Sequence, residues 1–441
     1  MNLFKNKKVT IMGLGLLEGG VGVAKFFCKQ GADVLVTDLK TKRQLKESID
    51  KLKGLSIEFV LGKHRKEDFI NTDLVIKNPG VPADSPYLKI AKKHKIPIKT
   101  DVSIFFDLCQ TPIIGVTGTK GKSTVATLIY LLLKKKYPKT ILAGNIGVSP
   151  LEILSKIKTY SLRSQNLDLL RYKHINLKLT KKSKVVLELS SFELEDLKKS
   201  PHIAVITTLF PDHLNRYKNF REYVAAKKSI FKYQKKNDIL ILNYDNPEVR
   251  KLASEAPSKV LFFRNSNVSA ALAVAKIFKI SKKDIKKVLS IFKGVPNRRE
   301  LIATKKGVRY INDTTATTPQ SVILAINTFK KRFPNSGIIL IAGGLDKNLN
   351  YKNLAEEIKR NVSSLILLPG TASKKIKKGL EKFDKIYLVK SMREAVKKAA
   401  RLAQKGNIVL LSPGAASFNL FKNEFDRGEQ FKEAVKNLLK K

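Results

Sequence analysis

The chain has no tryptophan, three methionines, five histidines and two cysteines in 441 residues. Two thiols, Cys28 and Cys109, exclude a disulfide framework and offer no metal-ligand spacing, so both are expected to be buried, Cys28 in the apolar helical run 23–27. No run of eighteen apolar residues occurs, and residues 1–9 lack the apolar core of a signal peptide, so a cytoplasmic protein without a membrane span is expected. Acidic residues are also scarce, 37 against 86 Lys and Arg, for a net charge of +49. Such a charge favours polyanions. The lysines, however, are scattered over 134–136, 181–182, 235–236, 282–283, 374–375 and 440–441 with no RNA-binding aromatic motif. They read as solvated faces, and no specific nucleic-acid partner is expected.

What is present is a chain long enough for two to three domains, with 43% hydrophobic and 28% charged residues. Its organising stretch is Gly115-Val116-Thr117-Gly118-Thr119-Lys120-Gly121-Lys122-Ser123-Thr124, between the apolar run Pro112–Ile114 and a helical run through Leu133. Glycines there let backbone N–H groups wrap a polyphosphate at a helix start, Lys122 can reach the outer phosphates, and Ser123 or Thr124 can hold Mg²⁺. The spacing departs from G-x-x-x-x-G-K-[ST]: Val116 stands where the first glycine belongs, and Gly115 lies one residue earlier.

Before it, a strand over 7–12, the glycine turn 13–22, a helix to about Lys29 and a strand ending at Asp38 follow the order of a dinucleotide-type βαβ unit. G-x-G-x-x-G would need glycine at 18 and finds Glu18, so an NAD site is not inferred. Further strands near 58–61, 74–77 and 96–99 complete a doubly wound first domain, 1–109. A second, P-loop domain covers 110–294, with strands at 184–187, 203–208 and 238–242, a helix near 220–231, and a basic segment over about 156–184 read as an insertion or long loop. The third domain, 295–441, has strands near 309–311, 337–341, 364–368, 385–388 and 407–411 in what reads as another parallel α/β pattern. Its polar turns at 312–317, 343–347 and 412–417 fall past strand ends, where open α/β sheets bind ligands. The fold class is therefore α/β with three domains: a Rossmann-like N-terminal domain, a central P-loop ATPase-type parallel sheet and a C-terminal Rossmann-like domain.

Glu188, at a strand end in the P-loop domain, suggests an Mg²⁺ site with the loop hydroxyls, and His213, after another buried strand, suggests a second polar contact. Lys227 taken alone is unremarkable in so lysine-rich a chain. A P-loop followed by a domain with its own strand-end loops fits transfer of a γ-phosphoryl group to a carboxylate and attack on the acyl phosphate by a nucleophile from the last domain. Closure about the domain boundaries would keep water from the activated acyl group.

In this order the motifs resemble the Mur ligases, ATP-dependent amide-forming enzymes of peptidoglycan precursor synthesis, along essentially the whole chain. The shared stretches are 115–124, Gly144-Asn-Ile-Gly147, Glu188–Glu195, Asp212-His213 with Arg216, Ala226-Lys227, Asn312-Asp313 with Ala316-Thr317, Gly343–Lys347, and Leu411–Ser417 continuing to Phe421–Gly428. The last two are most like the branch that adds D-glutamate to UDP-N-acetylmuramoyl-L-alanine. The resemblance implies that Gly118, Lys122, Ser123 and Thr124 hold ATP and Mg²⁺, with Arg298 and Asp313 as further nucleotide contacts. It implies metal ligands at Ser123, Glu188, His213 and Lys227, Lys227 being carbamylated so that a cation becomes an anion able to bind a second Mg²⁺. Lys122, Glu188, His213 and Lys227 are then the catalytic set. Gly15, Asp38, Lys40, Asn78, Pro79, Gly80 and Asn145 correspond to the UDP-sugar site, and Thr317, Lys347 and Ser417 to the amino-acid site. A monomer acting on small molecules is expected.

Some positions depart from the pattern. Thr315 stands where the family has lysine, Asn297 where a histidine is common, Ala270 where an asparagine is expected near adenine, and Glu424 where phenylalanine is frequent. No counterpart in the family is assigned to the basic insertion around 156–184. Another amide ligase of the superfamily, with a different amino acid or a folate-type acceptor, and a basic P-loop ATPase acting on nucleic acid are the alternative readings.

Overall fold

The structure, a computed structural model, describes residues 4–16, 18–109, 111–145, 149–156, 183–214, 216–292, 294–381, 383–417 and 420–439. The basic insertion therefore lies, over 157–182, outside the described residues, as do Ile146 and Gly147 of the glycine-asparagine motif. The chain divides into two compact units, residues 1–209 with 221–291, and residues 210–220 with 292–441.

The first unit holds two parallel sheets. Strands β1 (Lys8–Met12), β2 (Asp33–Asp38), β3 (Ile57–Leu61), β4 (Leu74–Lys77) and β5 (Ile98–Lys99) lie in the order β3-β2-β1-β4-β5. Helices cover both faces of such a sheet, so its central strands are continuous apolar runs instead of alternating ones: all four residues of β4 are buried. The chain reverses direction across the sheet between β1 and β4, and the crevice at their carboxyl ends is where such sheets take ligands.

The second sheet is β6 (Ile113–Thr117), β7 (Ile141–Gly144), β8 (Val185–Glu188), β9 (Ile203–Ile206), β10 (Ile239–Asn243) and β11 (Lys259–Phe263), ordered β11-β10-β9-β6-β8-β7. The helix Lys122–Lys136 starts at Gly121, whose φ of 91° few other residues tolerate, buries Val125, Leu128, Ile129 and Leu132, and ends on Lys134–Lys136, which suit the negative helix end. Strand β11 is an edge strand beyond those expected, its apolar run Val260–Phe263 being only partly covered.

The second unit carries β12 (Glu300–Lys305), β13 (Val308–Asn312), β14 (Ile338–Gly343), β15 (Ser364–Leu368), β16 (Ile386–Leu388) and β17 (Ile408–Leu411), ordered β12-β13-β17-β14-β15-β16. The expectation of a wholly parallel sheet fails at one edge: β12 runs antiparallel to β13. Lys306 and Gly307, at φ of 49° and 75°, form the two-residue turn between them, a geometry whose twist matches a hairpin. The strand escapes notice because no face of it is fully buried.

Two further expectations are corrected. Cys28 is only half-buried, with its Sγ 3.8 Å from the Ser56 carbonyl, whereas Cys109 is buried and its thiol is pushed up to about 11 by burial. The glycine run 18–22 is also the start of the helix Glu18–Lys29 instead of turn. Close packing explains it: a Cβ on Gly20 would lie 2.1 Å from the Leu14 carbonyl oxygen, and one on Gly22 would lie 2.8 Å from Ser149 Cβ. The third glycine of this fingerprint thus sits at 20, where helix meets loop. Among the described residues no helix is long and apolar enough to cross a membrane.

Gly20→Ala is expected to lower stability by about 1–3 kcal/mol through overpacking against a backbone atom, measured by urea unfolding. An unchanged midpoint would show that the helix can back away from Leu14 freely.

Candidate active site

The phosphate loop is built by its neighbours as much as by its own glycines. Thr119 N donates to the Thr208 carbonyl at 2.6 Å, Lys120 N donates to Thr208 Oγ1 at 3.0 Å, and Thr207 Oγ1 donates to the Lys120 carbonyl at 2.6 Å. A Cβ on Gly118, at φ 144°, would stand 2.0 Å from Thr207 Oγ1, so only glycine fits. These threonines follow β9, the partner of β6 on one side. On the other side β8 aligns Glu188 with Val116. The loop is therefore held between two strand ends, and Gly118 and Gly121 are each enclosed by a side chain of another element.

Lys122 Nζ donates to the Gly118 and Thr119 carbonyls at 3.0 and 3.1 Å, and Lys227 Nζ donates to the Gly118 carbonyl at 3.1 Å. Lys227 is 1% exposed, on the helix Phe220–Lys232, with Nζ 4.8 Å from the Tyr223 ring centroid. Tyr223, one turn earlier and buried, donates its hydroxyl to Thr119 Oγ1 at 3.1 Å. Burial of an ammonium is costly, and here a carbonyl and a ring face offset it. Lys227 is thus no ordinary surface amine.

Glu188 is fully buried. Asn145 Nδ2 approaches its Oε1 at 3.4 Å, while Oε2 has no hydrogen-bond partner among the described residues. A buried carboxylate oxygen left without a donor fits a cation, and with the buried Ser123 hydroxyl it makes a donor set that suits Mg²⁺ completed by phosphate oxygens. Among the described residues no group of three or more His, Cys, Asp and Glu gathers, so such an ion would not be held by protein carboxylates alone. Asn145, grouped in the sequence with the sugar-nucleotide residues, lies here beside Glu188.

In the first sheet the expected sugar-nucleotide residues collect at the carboxyl ends of β1, β2 and β4. Asp38 accepts N–H from Leu14 and Gly15 on Oδ2 at 2.9 and 3.1 Å and from Lys40 on Oδ1 at 2.9 Å. Its charge therefore fixes the glycine turn. Asn78 takes the Gly80 N–H on Oδ1 at 3.1 Å and packs against Gly13, while Lys40 is exposed.

His213 belongs to the second unit, whereas Ser123, Glu188 and Lys227 belong to the first. It adopts φ 55°, with its N–H donating to Asp212 Oδ1 at 2.8 Å. Lys347 Nζ lies 3.6 Å from Asp212 Oδ1 and donates to Thr317 Oγ1 at 3.2 Å, which brings Asp212, Thr317 and Lys347 together. The turns after β13, β14 and β17 are stitched to one another. Gly414 N donates to the Ala316 carbonyl at 2.7 Å, Gly343 N to the Pro413 carbonyl at 2.8 Å, and Ser412 Oγ to Asp313 Oδ2 at 3.2 Å. Ser417 is buried next to the short bridge between Leu345 and Ala416. Thr315, in the lysine position, is buried, and it takes a hydrogen bond from Arg298 at 3.3 Å. A guanidinium thus stands beside the position that lacks its cation.

Three residues in these sites carry no sequence signal strong enough to single them out. Asn267 places its amide against Gly121, where an added Cβ would be 2.7 Å from Oδ1; the polar group looked for at Ala270 is found three residues earlier. Tyr223 is marked only by its spacing of four from Lys227. Arg427 is fully buried and spends its donors on neutral oxygens: Nε and one terminal nitrogen donate to Thr314 Oγ1 and O at 3.0 and 2.8 Å, and the other donates to the Ala415 carbonyl at 3.1 Å. Burial pulls its guanidinium down to about 10.

Behind Glu188, the chain turns through a capping box in which Ser190 N and Oγ both donate to Glu193 Oε2 at 2.6 Å. Burial, then the Asp101 carboxylate, push Glu193 up to about 7, from 4.5, and Glu188 adds to the rise. The folded state therefore holds this proton more tightly than the unfolded one, so the contribution of Glu193 to stability is fully present below about pH 4.5 and is lost as pH rises toward 7. Glu193→Gln is expected to flatten that slope, gaining on the order of 2–3 kcal/mol relative to the parent between about pH 5 and about pH 8 in urea unfolding. Parallel profiles would show that Glu193 stays ionised throughout.

Comparison with known proteins follows this division. The Mur ligase MurD-like N-terminal domain matches residues 7–100, the Mur ligase middle domain 116–301, and the Mur ligase glutamate ligase domain 297–414. The chain is 38% identical to the UDP-N-acetylmuramoylalanine--D-glutamate ligase of Roseiflexus sp. (strain RS-1), over 98% of each chain. It is likewise 38% identical, over 98% of each, to the protein of that name from Borreliella burgdorferi (strain ZS7). Among solved structures, the MurF ligase of Thermotoga maritima in complex with ADP shares the fold at a TM-score of 0.58, with 17% identity over 99% of both chains. On this evidence the chain belongs to the Mur ligase family.

Proposed function

We propose that the chain is an ATP-dependent ligase that joins D-glutamate to UDP-N-acetylmuramoyl-L-alanine, with an acyl phosphate as intermediate. The observation that carries the reading is the phosphate loop flanked by the buried, partnerless Glu188 oxygen and the buried Lys227. Full-length likeness to relatives named as D-glutamate ligases supports the choice of amino acid.

In this reading domain 1–109 binds the UDP-sugar through Gly15, Asp38, Lys40, Asn78, Pro79 and Gly80, with Asn145 added from the next domain. Domain 110–294 binds ATP through residues 115–124, and domain 295–441 supplies Arg298 and Asp313 to the nucleotide and Thr317, Lys347 and Ser417 to the amino acid. Lys122 neutralises charge on the transferring phosphate, where fixed cations act without reorganisation. Ser123, Glu188, His213 and a carbamylated Lys227 are the residues that would hold Mg²⁺. Bound there, Mg²⁺ would neutralise phosphate oxygens and draw electrons from the γ-phosphorus. The UDP-sugar carboxylate takes the γ-phosphoryl group, ADP leaves, and the D-glutamate amine displaces phosphate to give the amide. The enzyme works as a cytoplasmic monomer on small molecules, its lysine excess being surface charge instead of a nucleic-acid site.

Incubated with ATP, Mg²⁺, UDP-N-acetylmuramoyl-L-alanine and D-glutamate, the protein is expected to release ADP and phosphate in step with new amide. A panel of D- and L-amino acids tests selectivity, and ADP release indifferent to D-glutamate would overturn the assignment. Lys227→Ala is expected to cut turnover by about a hundredfold or more, with short-chain carboxylic acids but not bicarbonate restoring part of it. Undiminished turnover would show that the lysine has no part in the chemistry.

A further inference from the structure

Lys77 closes β4 and is 2% exposed. Its Nζ donates to Glu195 Oε1 at 3.0 Å and pairs with Asp196 Oδ2. Both acids follow the short helix Ser191–Leu194, which the chain enters directly from β8 and Glu188. The residue after Lys77 is Asn78, whose N–H donates to the Met12 carbonyl at 3.0 Å and whose carbonyl accepts from Val81 at 2.9 Å. One ammonium therefore joins the turn at the carboxyl end of the first sheet to the segment that carries Glu188 in the second. A parallel link lies nearby: Asp107 pairs with Lys99 at 3.0 Å and with Lys199, just beyond the same short helix, at 2.6 Å.

Packing alone would hold two domains at less cost, since burying an ammonium forfeits hydration that its carboxylates only partly return. What an ion pair adds is direction. Apolar faces slide over one another, whereas an Nζ shared by two carboxylates on one backbone turn has a narrow range of positions. Phosphoryl transfer is sensitive to that range, because an acceptor oxygen displaced by about 1 Å can lose about a hundredfold in rate.

We infer that Lys77 is a positioning residue: through Glu195 and Asp196 it sets the placement of the UDP-sugar turn relative to the phosphoryl centre, so that the acceptor carboxylate meets the γ-phosphate. The inference rests on the function proposed above and adds to it a buried residue outside the proposed substrate contacts.

The test compares the native chain with Lys77→Met and with the neutral triple variant Lys77→Met, Glu195→Gln, Asp196→Asn, which leaves no unpaired charge and serves if the single variant misfolds. Expected in both is a kcat lower by about tenfold or more, with KM for ATP and calorimetric affinity for the UDP-sugar within about threefold of native. Hydrogen exchange at the Gly80 and Val81 amides should quicken by about tenfold, while β10 and β11 keep native protection. Unchanged kcat, a loss confined to UDP-sugar affinity, or faster exchange across the whole unit would each overturn the inference. Native turnover is measured first: its absence sinks the functional reading alone, and the exchange contrast at Gly80 and Val81 still judges the link.

Discussion

The carbonyl of Gly118 is the point on which the arrangement of the first unit's phosphate loop depends. It accepts from both Lys122 and Lys227, and the backbone that presents it stands where no side chain fits beside Thr207. Two ammonium groups converge on one oxygen because the loop between β6 and its helix is clamped by threonines from β9 on one side and aligned with Glu188 of β8 on the other. A phosphate loop is often described by its glycines. Here the glycines permit the shape, and neighbouring strands impose it.

The same division of labour recurs at the other strand ends. Asp38 spends its charge on backbone N–H groups of the glycine turn, so a residue that looks like a ligand contact also fixes the loop that would make the contact. In the second unit, hydrogen bonds among the turns after β13, β14 and β17 align Asp313, Thr317 and Ser417 without any of those turns being regular structure. Parallel sheets suit this arrangement because all their crossovers deliver loops to one edge.

Much of this was legible in the sequence. The central strands of all three sheets announce themselves as apolar runs, and the P-loop combines a strand, a turn and a helix in an order that chance seldom gives. Most of what stayed hidden depends on partners far along the chain. Lys77 ends an apolar strand like any lysine among 86 basic residues, and its acids lie 118 and 119 positions later. Thr207 and Thr208 matter only because β9 pairs with β6. Strand β12 was missed for a different reason, an edge position with neither face fully covered, so its residues show no clean period of two.

Arg427 shows how far such dependence reaches. The final helix contributes no expected substrate contact, yet its guanidinium supplies hydrogen bonds to the backbone of both Thr314 and Ala415. The last helix thus works as a rivet behind the turns that carry Thr317 and Ser417. Unravelling it would loosen both turns at once, although every residue within them remained intact.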